Sequence, residues 1–325
     1  MWVSSFHGLR SLRNPLSRTR PCQLNRGIHN KHTRMTLSKQ TGLVTADWLR
    51  KNLSQVSVLD ASWHLPQSGR NAKREYEQRR ISGAQFFDID APGLKDMNST
   101  LPHMIPSAEE FSQKMDDFGI SNDDQVIVYA TNMFAAAARV WWMFRCFSHD
   151  RVAVLDGGLQ GWIDANYPLD SGPPAIEPRK KVGYFRAVMN KALVSSIDDV
   201  LQNIESECPT VVDARPEDRF NMLKAEPRES TPKGRIPHSI NIPSSQVLQG
   251  QKYLPQDDLK QLFTSKLGPD WQNHQWLLSC GSGVTASVVA LAMNNCDYRD
   301  FSVYDGGWSE WANAENVPRV RPESS

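Results

Sequence analysis

Long apolar runs are missing from this sequence: no stretch approaches the roughly 18 residues needed to cross a bilayer, which argues against a membrane-spanning chain. Cysteine is scarce. Cys22, Cys146, Cys208, Cys280 and Cys296 make an odd set with neither CxxC nor Cys/His ligand spacing. That pattern speaks against a structural zinc site and a disulfide framework, and fits a reducing compartment. Acidic residues are absent before Asp47, a region that holds Arg10, Arg13, Arg18, Arg20, Arg26, Lys31, Arg34 and Lys39. With these eight set aside, the remaining 29 basic residues face all 36 acidic ones, so the body of the chain is acidic. An acidic body offers a nucleic acid little, and no nucleic-acid partner is expected.

What is present bounds the answer further. At 325 residues the chain has room for two domains, and its 39% hydrophobic and 22% charged residues exclude disorder and collagen-like structure. The basic, acid-free start carries Trp2, Phe6 and Leu9 at the spacing of one helical face, the pattern of a mitochondrial transit peptide. Residues 1–40 are expected to be this targeting segment, and Met35 offers an internal start for a cytoplasmic form.

The rest of the chain contains one unit twice. Val58-Leu59-Asp60-Ala61 recurs as Val211-Val212-Asp213-Ala214, and Ile81-Ser82-Gly83-Ala84 is answered by Ile236-Pro237-His238-Ser239. Val126 to Tyr129 matches Gln275 to Ser279. Val154-Leu155-Asp156-Gly157-Gly158 with Trp162 matches Val303-Tyr304-Asp305-Gly306-Gly307 with Trp311. The offsets all lie between 149 and 155 residues. Short apolar runs alternate with helix-like stretches in each copy, as expected for parallel strands joined by helices. The spacing predicts one such helix over Arg139 to Phe147. The predicted organisation is an N-terminal copy over 41–170, a Pro-rich, charged linker over 171–190 and a C-terminal copy over 191–325.

The duplication acts as an internal control on chemistry. In the second copy Ser279-Cys280-Gly281-Ser282-Gly283 leaves a strand and opens a helix. The first copy has Tyr129-Ala130-Thr131-Asn132 there, so only the second can perform thiol chemistry. Glycines at the first and third positions after Cys280 allow consecutive backbone N–H groups to converge on an anion before a helix N-terminus. That anion is expected to be a thiolate or persulfide. Cys146, Cys208 and Cys296 read as buried core residues. A phosphatase loop would need an arginine six residues after the cysteine, and that position is Ala286.

These residues resemble the rhodanese superfamily, and specifically its tandem-domain members. The resemblance runs from about Leu43 to Trp311 and includes Leu59-Asp60-Ala61-Ser62-Trp63, Phe86-Phe87-Asp88-Ile89-Asp90, Arg139-Val140-Trp141-Trp142-Met143-Phe144-Arg145 and Leu155-Asp156-Gly157-Gly158-Leu159. It implies two α/β domains, each a central parallel sheet flanked by helices, with the active site in the interdomain cleft. The loop Cys280-Gly281-Ser282-Gly283-Val284-Thr285 is similar to that of members taking sulfur from 3-mercaptopyruvate; thiosulfate-using members have Arg and Lys in place of Gly281 and Ser282. The resemblance makes Cys280 the nucleophile and Arg219 and Arg228 the substrate arginines, with loop residues Gly281, Gly283, Val284 and Thr285 also contacting substrate. It couples Ser282 to His103 and Asp90 as a proton relay.

The expected activity is sulfur transfer from 3-mercaptopyruvate through a Cys280 persulfide to cyanide, a small thiol or a thioredoxin-type dithiol, with pyruvate released and no metal or organic cofactor. A dithiol acceptor would release hydrogen sulfide. Two other readings stand beside it, a thiosulfate:cyanide sulfurtransferase and a non-catalytic persulfide relay or redox sensor. The sequence departs from the family's His-Ile-Pro-Gly at Arg80-Ile81-Ser82-Gly83 and Arg235-Ile236-Pro237-His238, which leaves His238 as an extra titratable group.

Overall fold

Runs of β-branched and apolar residues that are buried on both faces form the central strands of a parallel sheet. In a computed structural model that describes residues 42–131, 136–173, 183–205 and 211–322, both copies build such a sheet. The first copy contributes β1 (Leu43–Val44), β2 (Ser57–Asp60), β3 (Arg80–Ile81), β4 (Gln85–Phe86), β5 (Val126–Tyr129), β6 (Val152–Leu155) and β7 (Leu169–Asp170). The second contributes β8 (Val194–Ser195), β9 (Val211–Asp213), β10 (Ile240–Asn241), β11 (Leu248–Gln249), β12 (Lys252–Tyr253), β13 (Trp276–Ser279) and β14 (Phe301–Tyr304). The main sheets run β1-β6-β5-β2-β4 and β10-β9-β13-β14-β8, every pairing parallel. Read in opposite directions these are one strand order, so the sequence repeat is a repeat of topology. The targeting segment, Met35, Cys22, Cys208 and part of the linker lie outside the described residues.

Helices flank both sheets. They are α1 (Ala46–Asn52), α2 (Ala72–Gln78), α3 (Ala108–Asp117), α4 (Ala137–Cys146), α5 (Gly158–Asp164), α6 (Ile197–Glu205), α7 (Glu217–Phe220), α8 (Gln256–Leu267), α9 (Val284–Asn295) and α10 (Gly307–Trp311). The predicted helix over Arg139 to Phe147 is therefore α4, begun two residues earlier and ended one earlier. Local chemistry sets several starts: Ser107 and Glu110 close a reciprocal capping box on α3, which satisfies two of its free N–H groups.

α4 and α9 occupy equivalent places in the two copies and pack against each other. Each is apolar nearly all round, and a helix of that kind must be covered on every face. Trp141, Trp142 and Phe144 of α4 and Val288 to Met293 of α9 are buried in one hydrophobic core that runs through both copies. Each large side chain so buried contributes about 1.5–3 kcal/mol.

Two further contacts join the copies by the same rule. Asp156, after β6, accepts the Tyr253 N–H at 3.0 Å, and Asp305, after β14, accepts the Ile105 N–H at 2.9 Å. Each aspartate opens the repeated Asp-Gly-Gly, and each N–H lies just before the helix (α8 or α3) of the opposite copy. The two halves thus grip each other reciprocally.

Candidate active site

Parallel sheets present their ligand sites beyond the carboxyl ends of the strands, where the loops diverge. Cys280 stands at that end of β13 and is only 1% exposed. Its carbonyl accepts the Trp308 N–H at 2.7 Å; in the first copy the Ala130 carbonyl accepts the Leu159 N–H at 3.1 Å. This contact requires close backbone approach. A Cβ on Gly307, whose φ is +55°, would fall 2.8 Å from the Cys280 oxygen. The N–H groups of Gly281, Ser282 and Gly283 donate to no acceptor among the described residues, and α9 starts at Val284 with its first-turn amides unpaired inside the helix. Free amides and a helix N-terminus therefore directly follow the sulfur, the elements that an anion cradle requires.

Two arginines of the second copy overlook the loop. Arg219 lies so close that a Cβ on Gly281 would come within 3.2 Å of its Nη2. Its Nε and Nη2 both rest on Glu226, Nε at 3.1 Å. Glu226 is itself buried and is held from the other side by Arg215, whose Nη1 donates at 2.8 Å. Arg215 also grips Asp213 through Nε and Nη2 and lies over the Trp308 ring at 4.8 Å. Burial works against the Arg215 charge, yet Asp213 and Glu226 outweigh it and raise its pKa. Of the ion-pair partners that sequence proximity offers Arg219 (Glu217) and Arg228 (Glu229), neither is engaged, and Arg219 turns instead to Glu226. Arg228 is half-buried. Burial lowers its pKa, while the charges of Asp90 and Cys280 pull it back up.

The first copy supplies the other wall. His103 Nδ1 lies 2.7 Å from Asp90 Oδ1, and the Trp63 indole N–H donates to Asp90 Oδ2 at 2.9 Å. Burial alone would raise the Asp90 pKa; bonding to His103, the Trp63 donor and the nearby Lys95 charge together hold it below the usual carboxylate value. A proton on Nδ1 shared with Asp90 leaves the Nε2 lone pair facing outward, where the Arg228 Nη2 stands at 3.5 Å. Of the sequence-derived relay, the structure brings His103 and Asp90 together. Among the described residues no hydrogen bond joins Ser282 to His103. Ser282 is buried in the cysteine loop.

One residue that sequence reasoning passed over connects these parts. Arg139 of α4 is fully buried, stacks on Trp142 at 4.4 Å, donates to the His103 carbonyl and pairs with Asp305. Its Nη1 lies 2.6 Å from where a Cβ on Gly283 would be, and Gly283 has φ +73°. The signal was an arginine next to the apolar run Val140 to Phe144, where a buried charge requires a partner. His238 plays no part here: it is exposed, at φ +59°, in the turn that Gly83 makes at φ +75° in the first copy. Cys146 and Cys296 are buried, as read from the sequence, and burial raises the pKa of both, that of Cys296 to about 11.

Comparison with known proteins bears on both repeats. Residues 45–165 and 196–314 each match the family model described as "Rhodanese-like domain". The chain is 38% identical over 291 residues to 3-mercaptopyruvate sulfurtransferase of Homo sapiens, covering 86% of this chain and 93% of that protein. It is 36% identical over 322 residues to thiosulfate/3-mercaptopyruvate sulfurtransferase 1, mitochondrial, of Arabidopsis thaliana, covering 92% and 84%. Among solved structures it superposes on the 3-mercaptopyruvate sulfotransferase SseA of Escherichia coli with a TM-score of 0.72 at 35% identity, covering 83% of this chain and 100% of that one.

Proposed function

The chain belongs to the rhodanese-like family, and from that premise we propose that it is a 3-mercaptopyruvate sulfurtransferase working through a persulfide on Cys280. The observation that carries this reading is the meeting of Cys280, in a loop of free amides, with two arginines and no cation within the loop itself. A monocarboxylate thiol donor needs a fork for its carboxylate, which Arg219 and Arg228 offer. A thiosulfate dianion would want charge in the loop, where Gly281 and Ser282 have none.

The chemistry divides into two displacements. The Cys280 thiolate attacks the substrate sulfur, an S–S bond forms and the C–S bond breaks. The bonding pair goes to the substrate carbon, giving the enolate of pyruvate, which then takes a proton. The His103–Asp90 pair is placed to move that proton, and Ser282 Oγ would join it by turning toward Nε2 once Arg228 engages the substrate. In the second displacement a thiol attacks the outer sulfur and regenerates Cys280. A dithiol acceptor of the thioredoxin kind closes to a disulfide and releases hydrogen sulfide. Neither step calls for a metal or organic cofactor. The basic, acid-free residues 1–40 support a mitochondrial location, with Met35 supplying a cytoplasmic form.

The test is pyruvate release from 3-mercaptopyruvate with a dithiol acceptor, beside thiocyanate formation from thiosulfate and cyanide, for the native chain and Cys280→Ser. Preference for mercaptopyruvate, abolished by the substitution, is expected. Preference for thiosulfate would overturn the substrate assignment, and turnover by the serine variant would overturn the nucleophile. Inertness of the native chain toward both donors would leave only a passive relay.

A further inference from the structure

The first copy, which has no cysteine at the strand-end loop, still keeps a crevice there. A half-open cavity of about 570 Å³ is lined by Arg70, Glu75, Gln78, Arg79, Gln160 and Ile163, together with Thr131 and Leu159. Thr131 directly follows Ala130, the residue in the place of Cys280, and Leu159 sits where Trp308 sits beside the reactive loop. The cavity is therefore the counterpart of the space that Arg219 overlooks in the second copy.

The likeness extends to how an arginine is presented. Arg70 sets Nε on Oε1 and Nη2 on Oε2 of Glu75, both at 2.7 Å, while Arg219 uses the same two nitrogens on one oxygen, Oε2, of Glu226. In each case Nη1 is left without a hydrogen-bond partner among the described residues. Glu75 is also a hub like Glu226, since the buried His64 ring contacts its second oxygen at 2.9 Å. Arg79 is exposed and has no carboxylate partner among the described residues. The Gln160 amide N–H₂ is held by Asp164 at 2.7 Å, which leaves its carbonyl free.

We propose that this cavity is a second ligand site, taking a short-chain monocarboxylate. One carboxylate, Glu75, sits among two guanidinium groups, so the wall carries one net positive charge, suited to a monoanion rather than a dianion. Planar guanidinium donors fit a carboxylate. Leu159 and Ile163 form an apolar side against which a short aliphatic tail packs, and the volume falls in the range of small-molecule sites. The site is independent of Cys280, so it stands whichever sulfur donor the reactive loop uses.

Butyrate is the probe, followed by saturation-transfer NMR on the full chain with neutral butyramide as control. Transfer to butyrate and not to butyramide is expected. Gln160→Glu, which adds a negative charge without touching the Arg70–Glu75 pair, and Arg79→Gln should each weaken binding about tenfold, the loss of one charge-assisted contact. Because Arg228 is itself proposed to hold a short carboxylate, the cavity substitutions are read in the Arg228→Gln background, where the signal should remain before they are added. Thermal melts identify any variant that fails to fold, and Gln160→Glu and Arg79→Gln lie on exposed faces where folding is tolerant. No transfer at saturating butyrate overturns the proposal. So does a signal that survives both cavity substitutions, or one already lost in Arg228→Gln.

Discussion

Arg139, fully buried in the first copy, lies with Nη2 2.5 Å from Oδ1 of Asp305 in the second. Asp305 also accepts the Ile105 N–H, and Arg139 also holds the His103 carbonyl. The pair thus ties the backbone that carries His103 to the turn after β14, whose Trp308 N–H is bonded to the Cys280 carbonyl.

Arg139→Lys keeps the charge but loses the fork. It should fold and lose about tenfold in kcat with little change in KM, because the arginine touches no substrate and acts on the placement of His103. Arg139→Gln leaves Asp305 unpaired and should destabilise by about 3–5 kcal/mol. Adding Asp305→Asn to it should restore part of that. Thermal melts and steady-state kinetics on the three variants decide the matter; an equal fall in kcat/KM carried by KM alone would contradict the positioning role.

The depressed pKa of Asp90 fixes a sign for the acid side. A carboxylate whose folded pKa lies below its unfolded value of about 3.9 stabilises the fold above that pH, and the contribution disappears as pH falls through the folded value. His103→Gln removes the main partner and should move the Asp90 titration upward. Carboxyl ¹³C NMR would follow it directly, and an unchanged midpoint would mean that the histidine is not what holds the proton off.

Gly281 is held small by Arg219, whose Nη2 leaves 3.2 Å for a Cβ. Gly281→Arg would force two cations together and push Arg219 aside. The expected result is a KM for 3-mercaptopyruvate raised about tenfold, one lost charge-assisted contact, with relative gain for thiosulfate. Parallel assays with both donors measure it.

His238 occupies a left-handed turn that its counterpart Gly83 occupies without strain. His238→Gly should stabilise by about 1 kcal/mol, and Gly83→Ala, with open space around it, should cost a similar amount. Denaturant midpoints at constant slope give both numbers.

The duplicated topology and the strand-end place of Cys280 were legible because each depends on a pattern within a few residues or on comparing one copy with the other; Arg219 and Arg228 stood out only through the family resemblance. The partners of those residues were not legible. Arg219 could have turned to Glu217 and turned to Glu226, since Glu226 is already buried and braced by Arg215. Arg139 read only as the start of a helix because its partner is 166 positions away in the numbering and across the interface. The His103–Asp90 contact, expected from the sequence, joins two residues of one copy only 13 positions apart. Ser282 belongs to the other copy, and no local pattern says how far from His103 it stands.

The reciprocal grip of Asp156 on Tyr253 and Asp305 on Ile105 has the form of an isologous contact, the kind a two-fold dimer makes when each subunit offers the other the same patch. Held in one chain, such a contact no longer obliges its two sides to stay identical. One half is free to keep the strand-end cysteine while the other sets His103 and Asp90 beside Arg228. On the proposed mechanism neither half, cut apart at 171–190, would own a whole site, and mixing the two pieces would be an exercise in reassembling an enzyme rather than in comparing two.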